Sequence, residues 1–393
     1  MKNKLVYIYS ELPSYVRVEK NIKVFLNHFD EVHFIGVNRN GQKELPQSNI
    51  EGLYFHILDS TIPHGGLRSI LKSFQFVLFA REILKDINAD VIVLANEESY
   101  APLLFSSKLT KNKVIVCELL DSLAIRLTGY LKVLNPVVRP FSRFVTSKAH
   151  YVVEVTESRL LRHGAALDGK SFVIHNSPDS QNMDSISLTK EVESKLPKSE
   201  PYIYVSGSVV PNVSGIEELL MAVHKVNDYS ESKGESKVKI VYSGRLTGEW
   251  ATNKFFSNPD VINFGCLTPS ESLLVANKSL AMYAYYRPIN NNYIYAAPNK
   301  VYDAVSIQKY ILMNDECKAA SIPGELGLLL SSPYGSVDGI VSNIMKLFSN
   351  NEITLDNKLS IQKEFDEKYA WPVMEKRWAA LFRLAKDKLK EAG

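Results

Sequence analysis

No uninterrupted apolar run in the 393 residues approaches the roughly 20 that a membrane-spanning helix needs, which argues against an integral membrane protein. Cysteine is scarce too. Cys117, Cys266 and Cys317 lie far apart and show no metal-ligand spacing, so they read as buried free thiols in a reducing compartment. An excess of either charge is also missing: 46 Lys and Arg against 43 Asp and Glu leave a net charge of +3, too little to imply nucleic-acid binding. Met1-Lys2-Asn3-Lys4 leads straight into a strand-like run without the apolar core or small-residue cleavage site of a signal peptide, so a cytoplasmic location is expected. No Asp-x-Asp pair occurs, so no required metal or other cofactor is expected. Neither a solenoid repeat nor a low-complexity segment is present.

What is present is the composition of a soluble globular chain, 45% apolar and 23% charged, at a length that suits two domains. Short Val/Ile/Leu/Phe/Tyr-rich runs alternate with helical periodicity: Leu5–Ser10, Glu31–Val37, Leu53–Leu58, Val91–Asn96, Lys113–Leu119, Tyr151–Val155 and Ser171–His175 read as strands. Val18–Phe29 and Ser69–Ile87 read as helices between them. After polar, Ser-rich residues a second series begins, with strands Tyr202–Gly207, Val238–Gly244, Asp260–Gly265, Leu280–Tyr286, Lys309–Met313 and Leu326–Leu330, and helices Val213–Asn227, Ser336–Phe348 and Trp371–Lys390. The expected fold class is α/β, with a doubly wound parallel sheet in each of two domains, 1–180 and 201–371, and a linker over 181–200. Ligands of such sheets bind at the carboxyl ends of the strands, so a ligand shared by two facing domains would sit in a central cleft between them.

The second domain carries the candidate chemistry. In Ala297-Pro298-Asn299-Lys300-Val301-Tyr302-Asp303, Pro298 suits a helix start, where its missing N–H is not needed. A lysine in that first turn opposes the helix dipole unless an anion sits there, so Lys300 suggests a phosphate held by cation and backbone N–H groups together. Asn299, Lys300 and Asp303 share a face, and Asp303 could accept hydrogen bonds from sugar hydroxyls; an exposed Lys–Asp pair on a surface helix is the alternative. Three strand ends add small residues or a cation: Gly207-Ser208, Gly244-Arg245 and Gly265. Each suits either a diphosphate or an ordinary turn.

The order of these segments resembles the donor domain of GT-B glycosyltransferases, in particular the large retaining family 4 group. Some members of that group read Pro-Asn-Lys-x-[Phe/Tyr]-[Glu/Asp] where this chain has Pro298, Asn299, Lys300, Tyr302 and Asp303. The resemblance implies two Rossmann-like domains, a diphosphate contact for Lys300 and a ribose contact for Asp303, with Gly207, Ser208, Arg245, Gly265 and Asn299 around the same nucleotide. Asn176-Ser177-Pro178 resembles the turn that ends the family's first domain, and Tyr369-Ala370-Trp371-Pro372 resembles the start of its final helix (372–393 here), which crosses back to the N-terminal domain. The activity it implies is transfer of a sugar from a nucleotide sugar, a UDP-sugar by expectation, to a hydroxyl of a glycan or lipid-linked glycan in bacterial cell-surface polysaccharide synthesis. This chain departs from the family pattern where Ser208 and Ser214 replace an arginine and a lysine and Tyr295 replaces a glutamate, leaving Lys300 and Arg245 as the available cations. A sugar-nucleotide 2-epimerase of the same fold and a non-catalytic partner subunit are the rival readings.

In the first half, the glycines often found after the family's first strand are missing from Ser10–Arg17. Arg17 resembles a recurring family arginine, with a salt-bridged surface residue as the alternative. Glu97 and Asp121, at strand ends, are candidates for the carboxylate that takes the acceptor proton, against structural or substrate-orienting roles. Gly65, in the His64-Gly65-Gly66 loop, is a candidate acceptor contact or a plain turn. Residues 122–150 carry Arg126, Lys132, Arg139, Arg143 and Lys148 among apolar residues and no acid. That pattern fits an anionic membrane surface, which would make the protein peripheral on the inner face of the membrane, and equally an amphipathic helix pair packed on the sheet.

Overall fold

Valine, isoleucine and leucine runs covered on both faces build two all-parallel sheets. The computed structural model describes residues 3–39, 41–61, 67–123, 133–161, 169–178, 187–244, 254–349 and 353–392. Contacts divide the chain into one unit of Met1–His175 with Met374–Gly393 and another of Asn176–Val373.

In the first unit the strands are β1 (Lys4–Ile8), β2 (Glu31–Val37), β3 (Leu53–Leu58), β4 (Val91–Ala95), β5 (Val114–Leu119), β6 (Tyr151–Glu154) and β7 (Ser171–Val173). They lie in the order β3-β2-β1-β4-β5-β6-β7, so the connection reverses direction between β1 and β4. Every residue of β2, β4 and β5 is buried, as a sheet covered on both faces requires. Helices α1 (Val16–Leu26), α2 (Leu67–Asp86) and α3 (Asn135–Lys148) belong to this unit. The second unit holds β8 (Tyr202–Ser206), β9 (Lys239–Ser243), β10 (Val261–Asn263), β11 (Ala281–Ala284), β12 (Tyr310–Asn314) and β13 (Leu329–Ser332). Their order is β10-β9-β8-β11-β12-β13, reversing between β8 and β11. Its helices of two turns or more are α4 (Ile216–Lys233), α5 (Pro269–Lys278), α6 (Asn299–Ser306), α7 (Val337–Phe348) and α8 (Leu355–Lys368).

The last helix, α9 (Trp371–Ala392), returns the chain to the first unit. Trp378 and Phe382 are buried there against Phe25, with ring centroids at 5.0 and 5.3 Å, and Phe382 also meets Phe29 at 5.0 Å. Trp378 Nε1 donates to Asn21 Oδ1 at 3.1 Å, giving the indole a polar partner inside the core.

Several sequence expectations need correction. The stretch read as pure linker contains a short helix, Lys190–Lys195, because Thr189 caps it by accepting from Val192 N. The strand expected at Leu326–Leu330 begins later, at Leu329, because Leu326 ends a short helix and Gly327 takes a left-handed φ of +69°. Cys117 and Cys317 are buried, but Cys266 is exposed, since it follows the end of the short edge strand β10.

Candidate nucleotide-sugar site

The second sheet reverses between β8 and β11, and the carboxyl ends of those two strands are where a doubly wound sheet opens a crevice. Gly207 leaves β8 with φ +82° and its N–H donates to Ser243 O at 2.8 Å. Gly244 N in turn donates to Gly265 O at 2.8 Å, so three strand-end glycines form one hydrogen-bonded edge. Gly244 has to be glycine: a Cβ there would lie 2.1 Å from Gly207 O. Ser208 is exposed, and Ser214 is half-buried with its Oγ accepting from Val210 N at 3.0 Å. Gly215 closes this loop against β11, where Tyr283 OH donates to its carbonyl at 2.5 Å.

Lys300 reaches this edge from α6. Pro298 precedes the helix as its N-cap, and Val301, Tyr302, Ala304 and Val305 bury its inner face in the core, leaving Asn299, Lys300 and Asp303 half-buried. The surface-pair alternative therefore does not describe these residues. Lys300 Cε would stand 3.7 Å from a Cβ on Gly207, and its Nζ lies 5.8 Å above the Tyr286 ring. Tyr286 is fixed by Asn314, whose Oδ1 accepts from Tyr286 N at 2.7 Å. Dehydration pulls the Lys300 pKa down to about 8, with the Asp303 carboxylate holding it partly up. Asp303 also acts on Tyr204, whose hydroxyl lies 2.8 Å from Ser272 Oγ; burial chiefly raises that tyrosine's pKa and Asp303 adds to the effect. Lys300 and Asp303 thus sit together at the end of β8 with Gly207. Arg245 lies outside the described residues.

At the corresponding ends of the first sheet, Arg17 departs from the surface arginine that was the alternative reading. It is 3% exposed: Nε donates to Glu118 Oε1 at 2.7 Å and Nη1 to Ile174 O at 2.7 Å. Glu118 accepts also from Tyr7 OH at 2.6 Å and from Asn21 Nδ2 at 2.9 Å, so this ion pair is an internal brace. Burial, with the Glu118 charge second, pushes the Tyr7 hydroxyl pKa well up. Glu97 is fully buried, and its carboxylate accepts from Ser122 Oγ at 2.7 Å, from Leu123 N at 2.9 Å and from Ser142 Oγ. Those bonds make it an anchor for the loop after β5 and occupy the oxygens a proton acceptor would use. Asp121 is different: its side chain is 55% exposed, with Oδ1 3.4 Å from Arg159 Nη2. Its backbone N–H donates to Asn96 Oδ1 at 2.8 Å. Asn96 itself holds a left-handed φ of +66° at the end of β4, beside the reversal point of this sheet. Gly65 lies outside the described residues, as do 124–132 of the basic stretch.

The sequence reading missed Asn96, Arg159 and Tyr286. An asparagine directly after a buried strand is a usable signal for a left-handed strand end; the other two announce nothing locally. Among the described residues no three His, Cys, Asp or Glu side chains cluster as metal ligands, and no helix is long and apolar enough to cross a membrane.

No protein-family model matches the sequence, and no curated protein is significantly similar to it. Solved structures are similar over nearly the whole chain. Sucrose-phosphate synthase from Thermosynechococcus elongatus shares 12% identity at TM-score 0.69, over 98% of this chain and 100% of that one. A UDP-forming α,α-trehalose-phosphate synthase from Burkholderia xenovorans, in complex with glucose-6-phosphate, shares 10% at TM-score 0.68, over 98% and 100%. WaaG, a glycosyltransferase involved in lipopolysaccharide biosynthesis, shares 10% at TM-score 0.63, over 95% and 98%. At such identities the likeness is one of fold: the chain has the two Rossmann-like units of the GT-B glycosyltransferases.

Proposed function

We propose that the protein is a nucleotide-sugar-dependent glycosyltransferase, taking a UDP-sugar as donor and a hydroxyl of a glycan or lipid-linked glycan as acceptor. One observation carries this reading: a partly dehydrated lysine, Lys300, stands at the helix start beside Gly207, at the reversal point of the second sheet, with Asp303 next to it. A diphosphate there meets the ammonium and the open N–H groups of the first turn of α6, and Asp303 accepts from the ribose. The UDP-forming synthase and WaaG among its structural relatives support the choice of donor and of a cell-surface product.

In the reaction the bond from the sugar's anomeric carbon to the diphosphate breaks and a bond to the acceptor oxygen forms. The acceptor proton leaves to a base, and Asp121, half-exposed at its strand end, is better placed to take it than the internally bonded Glu97. Charge grows on the departing diphosphate. Lys300, positively charged at neutral pH, and the helix N–H groups are fixed in advance to stabilise it, the kind of contribution that dominates such catalysis. Retention of configuration is the reading carried over from the family resemblance, and the lack of an Asp-x-Asp pair in the sequence is the ground for proposing that no metal is required.

A lipid-linked acceptor fits the face bearing α3. That helix has Arg139, Arg143 and Lys148 and no acid, and it exposes Val137 at 70% and Phe144 at 40%. Phe105, after β4, is 99% exposed, and Phe74 and Leu78 on α2 are exposed as well. Basic and apolar residues together suit the inner, anionic surface of a membrane. Flotation with anionic vesicles tests it: binding that Phe105→Asp with Arg139→Glu weakens supports the reading, and absence of binding at low salt removes it. For the activity, product analysis with UDP-sugar alone and with added acceptor is decisive, because an epimerised sugar from donor alone sinks transfer and turns the reading to an epimerase.

A further inference from the structure

We propose that Asn176 is a positioning residue for the nucleotide site, acting on α6 through the peptide group at Ala297. The inference rests on the donor-site reading above. Asn176 is the first residue of the second unit, and its Nδ2 donates to Ala297 O at 2.9 Å. That carbonyl belongs to the Ala297–Pro298 peptide, immediately ahead of α6. Pro298 fixes its own φ, at −71° here, and restricts the residue before it to extended backbone. Holding the plane of this one peptide therefore sets the direction in which the helix leaves it. A proline N-cap supplies no side-chain hydrogen bond of its own, so the orientation has to be imposed from outside the helix.

The neighbouring residue grips one turn further along. Ser177 Oγ donates to Tyr369 O, and the Tyr369 ring packs on Tyr302 of α6 with centroids 6.2 Å apart. Asn176 and Ser177 thus act at both ends of the turn that carries Lys300. What Asn176 controls is whether the Lys300 ammonium stays against Gly207 and Tyr286. Small displacements of a charged group matter to binding, since a positioned site must hold its geometry within about half an ångström.

Calorimetric titration with UDP, paired with melting curves, tests this in the full chain. Asn176→Ala removes the donor, and Asn176→Asp keeps the shape but puts an acceptor against the carbonyl. Both should weaken UDP at least fivefold. Asn227→Ala is the control: Asn227 bonds Val238 N and O at 2.7 and 3.1 Å elsewhere in the same unit, and its loss should lower the melting temperature while leaving UDP affinity in place. A second readout is the pH profile. If α6 loosens, water reaches Lys300, and the pH at which UDP affinity starts to fall moves up from about 8 toward the ordinary lysine range. UDP affinity within twofold of the unaltered protein in both Asn176 variants overturns the inference, as does an equal loss in Asn227→Ala. Failure of the unaltered protein to bind UDP overturns the donor-site reading, and this inference with it; binding by the unaltered protein separates the two failures.

Discussion

Lys300 carries an ammonium that folding dehydrates, drawing its pKa from 10.5 to about 8, and this gives the Lys300→Met variant a sign that most active-site substitutions lack. At about 1.4 kcal/mol per pH unit, the burden on the charged form is roughly 3 kcal/mol. Part of the residue remains open to solvent, so about half of that is a fair expectation. Methionine keeps an apolar stem of similar length beside Gly207 and removes the charge. The variant should therefore be more stable at pH 7 by about 1–2 kcal/mol, or about 3–6 °C for a unit of this size. The pH dependence fixes the mechanism. The folded pKa lies below the unfolded one, so between about 8 and 10.5 the unfolded chain binds more protons and the stability of the unaltered protein rises with pH. The gap between the two proteins should be full below pH 8 and closed above 10.5. Function moves the other way. Losing a charge-assisted contact worth about 1.5–3 kcal/mol should weaken UDP by about ten- to a hundredfold. Melting curves at pH 7, 9 and 10.5 with calorimetry against UDP measure both. A variant that melts lower at pH 7 and binds UDP as before would refute the reasoning.

Three further outcomes follow from the same packing. Arg17→Met alone should cost about 3–5 kcal/mol by leaving Glu118 charged and buried, whereas Arg17→Met with Glu118→Leu should recover most of it, as urea midpoints would show. Trp378→Ala should cost about 3–5 kcal/mol and expose the seat of α9 on Phe25, read as faster proteolysis in the C-terminal segment. Asp303→Asn should weaken UDP more than inorganic pyrophosphate in calorimetric titration, because the ribose contact is lost while the phosphate contact stays.

How far the sequence revealed these features depended on the distance over which each is determined. Glu31–Val37 matches its strand to the residue because a run buried on both faces carries its signal in its own side chains, and the edge strand Leu53–Leu58, half-buried beyond Leu53, matches through its apolar and aromatic residues. Helix α8 escaped notice since only Ile361 and Phe365 are buried along its length, too few to mark a face. Lys300 stood out because a cation in a first helical turn is locally anomalous. Its setting did not: Gly207 lies on another strand, and the Asn176–Ala297 bond joins residues 121 apart. Arg17 looked like a surface residue near the start of α1, and only its meeting with Glu118, 101 residues away, buries it. Glu97 was legible as a strand-end acid, while the serines that occupy its carboxylate come from later segments.

The central claim is that the strand ends of the second sheet hold a nucleoside diphosphate against Lys300. Calorimetry of the unaltered protein with UDP, GDP, ADP and TDP, repeated on Lys300→Met, tests it most directly. Saturable binding of UDP that collapses in the variant is the expected result. Binding of none of the four, or UDP binding that the variant leaves intact, would contradict the account.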